Sequence, residues 1–184
     1  MRTVLIEAPT AYDGLQLATA FVDTHAPGDG DAVVLFEGEA DVPPEHMVDL
    51  EDAEAGDGIL SPWMAHVIVE HRDLDLTTGV LAQRLLMRLM ADWLCRRGGV
   101  TIDVRGDDLY LDGRKMSVSI ATLSPRGVLI HAAVNVRTEG TPLPTAGLSE
   151  LRVPAREFLQ AVGRSYADEM ESARHAEAKV RPAP

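Results

Sequence analysis

Apolar positions follow a helical period in three stretches of this chain and a strand-like period in most of the rest. Between residues 74 and 97, Leu76, Val80, Leu81, Leu85, Leu86, Leu89, Met90, Trp93 and Leu94 recur at three- and four-residue spacing and define one face of a long helix. Arg96 and Arg97 suit the negative end of its dipole, and Gly98-Gly99 stops it. A second long helix starts at Pro154, with Phe158, Leu159, Val162, Tyr166 and Met170 on one side. A shorter one is predicted over residues 12–25, closed by Pro27-Gly28. Residues 3–7, 31–36, 64–70, 100–104 and 128–136 read as strands.

Residues 106–121 are predicted to contain a tight β-hairpin. Asp112-Gly113 is the dipeptide favoured by a two-residue turn with positive φ at both positions. That turn sets Leu111 opposite Arg114, Tyr110 opposite Lys115, Leu109 opposite Met116 and Asp108 opposite Ser117. Alternation then places Asp108, Tyr110, Lys115, Ser117 and Ser119 on one face, with Leu109, Leu111, Met116, Val118 and Ile120 on the core side. A face carrying an acid, a phenol, a lysine and two hydroxyls is either solvated or a ligand floor. A long helix followed by consecutive hairpins predicts an α+β fold with a largely antiparallel sheet. We expect a single domain over residues 1–180 and a disordered tail at 181–184.

Composition narrows the function classes. The 184 residues are 46% hydrophobic and 25% charged, as in ordinary globular proteins. No apolar run reaches the roughly 20 residues that cross a bilayer. The early acid Glu7 and Pro9 do not suit a secretory signal. A single cysteine excludes an internal disulfide framework, so a cytoplasmic protein is expected. The net charge of −12 argues against a nucleic-acid surface. The expected partner is a small-molecule ligand, with no membrane and no nucleic acid, and a homodimer is compatible with the sequence.

Other residues carry candidate chemistry, each beside a plainer reading. His131 and Asn135 are four apart on a strand and share a face. A strand histidine is otherwise a satisfied core residue. His66, Glu70 and Arg72 share strand parity and could line the same cleft; His66 and His71 do not, so they are no zinc pair. Arg84 is either solvent cover on the main helix or an anion clamp. Asp49, Glu51 and Asp52 offer hard oxygen ligands to a divalent cation, with Asp49 and Glu51 on one side if the segment is a strand; the plain alternative is a solvated acidic loop.

Several separate blocks resemble the domain-of-unknown-function family three-six-six. They are Met47 with Val48-Asp49-Leu50-Glu51-Asp52, the stretch from Met64 to His71, Gln83-Arg84-Leu85-Leu86, Arg105-Gly106-Asp107-Asp108-Leu109-Tyr110, the segment from Gly113 to Thr122, and Ile130-His131-Ala132-Ala133-Val134-Asn135-Val136. The family's fold is similar to that of biotin- and lipoate-protein ligases and of class II aminoacyl-tRNA synthetase catalytic domains, with helices packed on one side of the sheet. The ligases carry an essential lysine on a strand whose pattern Gly113-Arg114-Lys115-Met116-Ser117 resembles, so the resemblance implies that role for Lys115. It likewise matches Asp108 and His131 to ligase positions.

Lys115, His131 and Asp108 are therefore the candidate catalytic residues. Ser117, Ser119, Tyr110, Arg105, Asn135, His66, Glu70 and Arg84 are candidate ligand contacts. A small anionic or nucleotide-like ligand held over Lys115 is expected, with ATP and Mg²⁺ as the implied cofactor and activation or transfer of an acyl group as the implied reaction. Two features depart from the ligases: no glycine- and arginine-rich loop is present, its place being taken by the acidic residues 49–58, and Val118 stands where the ligases have a small glycine. The sequence thus leaves two rivals, a non-catalytic binding or assembly module on the same fold and a metal-dependent hydrolase using the acidic stretch.

Overall fold

A computed structural model of the chain describes residues 1–56, 58–141 and 143–183. A five-stranded sheet is built from β1 (Arg2–Leu5), β2 (Ala32–Val42), β3 (Ile59–Arg72), β7 (Ser117–Ser124) and β8 (Gly127–Arg137), in the order β1-β2-β3-β8-β7. Only the β1–β2 pair is parallel. A smaller antiparallel sheet holds β4 (Asp103–Arg105), β5 (Asp108–Leu111) and β6 (Arg114–Lys115).

The two long helices, α3 (Leu76–Gly98) and α4 (Ala155–Ala178), cover one face of the large sheet. Val33, Leu35, Val67, Val69, Ile130, Ala132 and Val134 point into that layer and meet Leu86, Met90, Leu94, Phe158 and Val162. Asp75 caps α3 by accepting the Thr78 N–H, and Gly99 ends it in the left-handed conformation. The buried face of α3 is rotated from the expected one. Ala82, Met87 and Ala91 lie inside while Leu76 and Leu81 are exposed.

Two polar clusters fasten elements across this frame. Asp31, at the start of β2, accepts from His71 Nδ1 at 2.7 Å, from the Arg72 N–H and from Arg174 on α4. His71 Nε2 in turn lies 2.6 Å from the Tyr166 hydroxyl, so the network ties α4 to the sheet. On the opposite face, buried Glu70 holds Arg126 at 2.7 Å and accepts from Thr19 of the short helix α1 (Thr19–His25) at 2.5 Å.

That second face carries Val34, Phe36, Ile68 and Leu129, under Val22 of α1 and Tyr12. The helix expected from residue 12 begins only at Thr19. Gly14 has φ +95°, and Tyr12 pairs instead with β2, donating to the Glu39 carbonyl and accepting from the Asp41 N–H. The approach requires a glycine at position 38, where a Cβ would stand 1.9 Å from the Thr10 carbonyl oxygen. The acidic stretch is also not a strand. Leu50–Ala55 forms α2, with the Asp49 carboxylate accepting the N–H groups of Glu51 and Asp52.

Candidate functional site

The hairpin turns where expected: Asp112 and Gly113 both have positive φ, and Tyr110 pairs with Lys115 and Leu111 with Arg114. At Met116 the chain leaves the small sheet. Its N–H still bonds the Leu109 carbonyl, but Ser117 opens β7 and pairs with Val134 of the large sheet. This crossing breaks the expected parity. Ser117 is buried, its hydroxyl accepting the Leu109 N–H at 2.8 Å. Ser119 accepts from Gln83 Nε2 of α3 and donates to the Asp107 carbonyl. Val118 and Ile120, expected in the core, line a cleft instead.

That cleft has a volume of about 240 Å³ and lies between β7, the β5–β6 hairpin and the segment leading into α2. Leu17, Val42, Met47, Val48, Ile59, Val118 and Ile120 give it apolar walls, and Asp49, Asp52, Asp107, Asp108 and Lys115 also line it. Lys115 Nζ lies 3.0 Å from Asp108, and Arg84 reaches Asp107 at 3.4 Å. His46 stands in the wall, with Nδ1 2.8 Å from the Asp13 carbonyl.

Tyr12 and His131 line the same cleft, stacked with ring centroids 3.9 Å apart. Behind them His66 Nδ1 lies 3.2 Å from His131 Nε2, and His66 Nε2 lies 3.3 Å from the Gly38 carbonyl. Burial pushes the His66 imidazole down to about 4, partly offset by the bond to Gly38. Burial, and then the neighbouring His66, hold His131 well below the usual histidine value. Both rings are therefore neutral at pH 7, and the hydrogen-bond directions follow. The Gly38 oxygen only accepts, so His66 carries its proton on Nε2 and presents a bare Nδ1. His131 must then donate from Nε2, which leaves its own Nδ1 as a lone pair. Neither His131 Nδ1 nor the Tyr12 hydroxyl bonds a described residue, and neither is among the side-chain atoms sealed from solvent without a partner, so both open to the cleft.

The cleft brings together Lys115, Asp108, Ser119 and His131, with His66 one ring behind. Asp49 and Asp52 join it from the acidic stretch, while Glu51 is not among the lining residues. Among the described residues no three His, Cys, Asp or Glu side chains are grouped to hold a metal ion. Asn135 accepts from Ser61 and donates to the Ala146 carbonyl, a clamp between strands outside the cleft. Arg105 lies over the Tyr110 ring, 4.6 Å from its centroid, and both stay on the small sheet. Glu70 is occupied with Arg126, and Arg84 with Asp107.

Tyr12, His46 and Asp107 are the lining polar residues that were not singled out as candidates. For Tyr12 a signal existed: Pro9 before it and Asp13-Gly14 after it mark an interrupted segment, poorly suited to a helix start.

Among the described residues, no helix is long and apolar enough to cross a membrane. An uncharacterised protein of Methanocaldococcus jannaschii is 31% identical over 148 residues, covering 77% of this chain and 66% of that protein, so the match spans just under two thirds of the relative. A solved protein of unknown function from Pyrococcus horikoshi superposes with a TM-score of 0.94 at 34% identity, over 100% of both chains. More distant structures share the fold. A putative lipoate protein ligase of T. acidophilum has a TM-score of 0.62 at 15% identity, over 93% of this chain and 86% of its own. Biotin protein ligase from Aquifex aeolicus, in complex with biotin and ATP, has a TM-score of 0.61 at 12% identity, over 92% and 70%. The sequence profile of the family described as Domain of unknown function (DUF366) matches residues 1–181. The chain belongs to that family and has the α+β fold of the biotin and lipoate ligases.

Proposed function

We propose that this protein binds a small molecule in the cleft between β7, the β5–β6 hairpin and α2. The observation that carries this reading is a pair of polar groups on the cleft wall, Tyr12 Oη and His131 Nδ1, which bond no described residue and open to the cleft. Each offers a hydrogen-bonding site that a ligand can take in place of water. The apolar walls suit the body of an organic ligand, and Lys115 at the hairpin offers its ammonium to a carboxylate or phosphoryl oxygen in exchange for Asp108.

Activation or transfer of an acyl group is the second reading, favoured by the placement of Lys115 and Asp108 on the cleft. ATP is the cofactor suggested by the ligase with bound ATP. The cleft fits a triphosphate poorly. Its lining holds one lysine against four aspartates, and the described residues form no metal cluster.

The test is a thermal-shift screen of a metabolite collection against wild type and Val118→Trp, which fills the cleft. A ligand at 100 times its dissociation constant stabilises by about 2.7 kcal/mol. We expect compounds that stabilise wild type and leave Val118→Trp unmoved. Equal stabilisation of both proteins by every hit would remove the cleft as the site. Pyrophosphate release from ATP with a pool of acids would establish the second reading, and its absence would leave binding alone.

A further inference from the structure

We propose that the inner end of the cleft receives a protonated amine, carried on an apolar body, as the head group of the ligand. The inference rests on the cleft being the ligand site and adds the chemical class of what enters it.

Hydrogen-bond polarity is the first support. The chain from the Gly38 carbonyl through His66 to His131 runs in one direction only, so His131 Nδ1 is an acceptor. A group that meets it must donate. A carboxylate or phosphate oxygen placed there would set lone pair against lone pair. The Tyr12 ring stacks on the same imidazole and its hydroxyl bonds no described residue, so it is available to accept a second hydrogen. His46 also lines the cleft, its Nδ1 donating to the Asp13 carbonyl.

Charge is the second support and is independent of the first. Asp49, Asp52, Asp107 and Asp108 line the cleft, against Lys115, which is paired with Asp108, and Arg84, which reaches Asp107 from α3. A cation is therefore favoured over an anion on the way in. An ammonium has three donors and no acceptor, which matches a floor of lone pairs and a rim of carboxylates. The volume of about 240 Å³ equals roughly eight water-sized groups at about 30 Å³ each. That admits a compact aryl- or alkylamine between Val42, Met47, Val118 and Ile120.

The test uses three probes of matched shape: phenethylammonium, phenethyl alcohol and 3-phenylpropanoate. Binding is measured by calorimetry at pH 7, and the ring nitrogens are followed by NMR on ¹⁵N-histidine-labelled protein. The ammonium should bind at least tenfold more tightly than either of the others and should move the bare Nδ1 signal of His131. Tyr12→Phe, which removes a hydroxyl that no described residue bonds, should weaken the ammonium several-fold with no change in melting temperature and no effect on the carboxylate. Tighter or equal binding of the carboxylate or the alcohol, lost in Val118→Trp, would overturn the amine and leave the cleft as a ligand site. Failure of all three probes to bind, or binding unaffected by Val118→Trp, would overturn it too; the metabolite screen against Val118→Trp then decides separately whether the cleft binds anything.

Discussion

Nδ1 of His66 lies 3.2 Å from Nε2 of His131, and neither ring carries a charge at neutral pH. The pair has a consequence for stability as well as for binding. A histidine in the unfolded chain takes up a proton near pH 6.5, whereas burial holds His66 down to about 4 and His131 well below its usual value. Between those limits the unfolded state binds more protons, so stability is full above pH 6.5 and falls as the solution is acidified. The slope is on the order of 1.4 kcal/mol per pH unit for each histidine that titrates only when unfolded. Urea unfolding at intervals from pH 7.5 to 5 should show this decline, and His66→Gln should reduce its slope to the share that His131 contributes. A profile that is level across that range would contradict the neutral pair.

Lys115 separates binding from folding. Its ion pair with Asp108 is partly exposed, with the lysine side chain 42% accessible, so Lys115→Ala should change unfolding free energy by at most about 1 kcal/mol. The same variant should lose affinity for any cleft ligand that carries an acidic group, while a ligand that enters only by its amine keeps most of its affinity. Calorimetry alongside urea unfolding reads both effects.

Gly38→Ala tests the support beneath Tyr12. The added methyl would stand 1.9 Å from a main-chain oxygen, which a rotamer change cannot relieve. The segment around Thr10 must lift from β2, at a cost of about 1–3 kcal/mol. The Tyr12 N–H, bonded to the Glu39 carbonyl, should then exchange with deuterium faster than in wild type while amides in the β3–β8 pairing are unchanged. Unchanged protection at Tyr12 would show that the floor does not depend on this approach.

Tyr166→Phe bears on α4. The hydroxyl lies 2.6 Å from Nε2 of a histidine with 0% exposure, and no other group among the described residues bonds that nitrogen. Its removal strands a buried polar atom and should destabilise the fold by about 1–3 kcal/mol. The cleft lies on the far face of the sheet, so ligand affinity should be the same once the protein is folded. Denaturation and calorimetry on one preparation separate the two.

The local parts of this fold could be read from residues close in sequence. Asp112-Gly113 dictates its own turn, and with it the pairing of Tyr110 and Lys115. The apolar repeat of Phe158, Leu159, Val162 and Tyr166 is satisfied on one helix face. What escaped depends on partners far along the chain. Ser117 turns to the Leu109 N–H and Ser119 to Gln83 of α3 because β7 pairs with β8, a choice that hairpin alternation cannot anticipate. The identical argument put Val118 and Ile120 in the core, where they instead face the cleft. His66 and His131 were visible as strand histidines, but their contact needs the register that sets His66 opposite Ala133 and His131 opposite Ile68. Asp49 and Glu51 share a side only if their segment is a strand, and the N-cap that Asp49 forms instead shows once the following residues coil.

The last link of the histidine chain is a main-chain oxygen, and this governs how the property passes between relatives. A carbonyl is present whatever residue occupies position 38, so substitution there cannot by itself reverse the direction of the relay. The direction is stored in the alignment of β2 against β3 and in the irregularity between Gly38 and Ala40. A homologue that kept both histidines but slid β2 by one residue would lose the acceptor and free His131 to face its ligand as a donor. Drift in ligand preference within this family would therefore be written in insertions and deletions along β2, where comparing residue identities column by column does not register it.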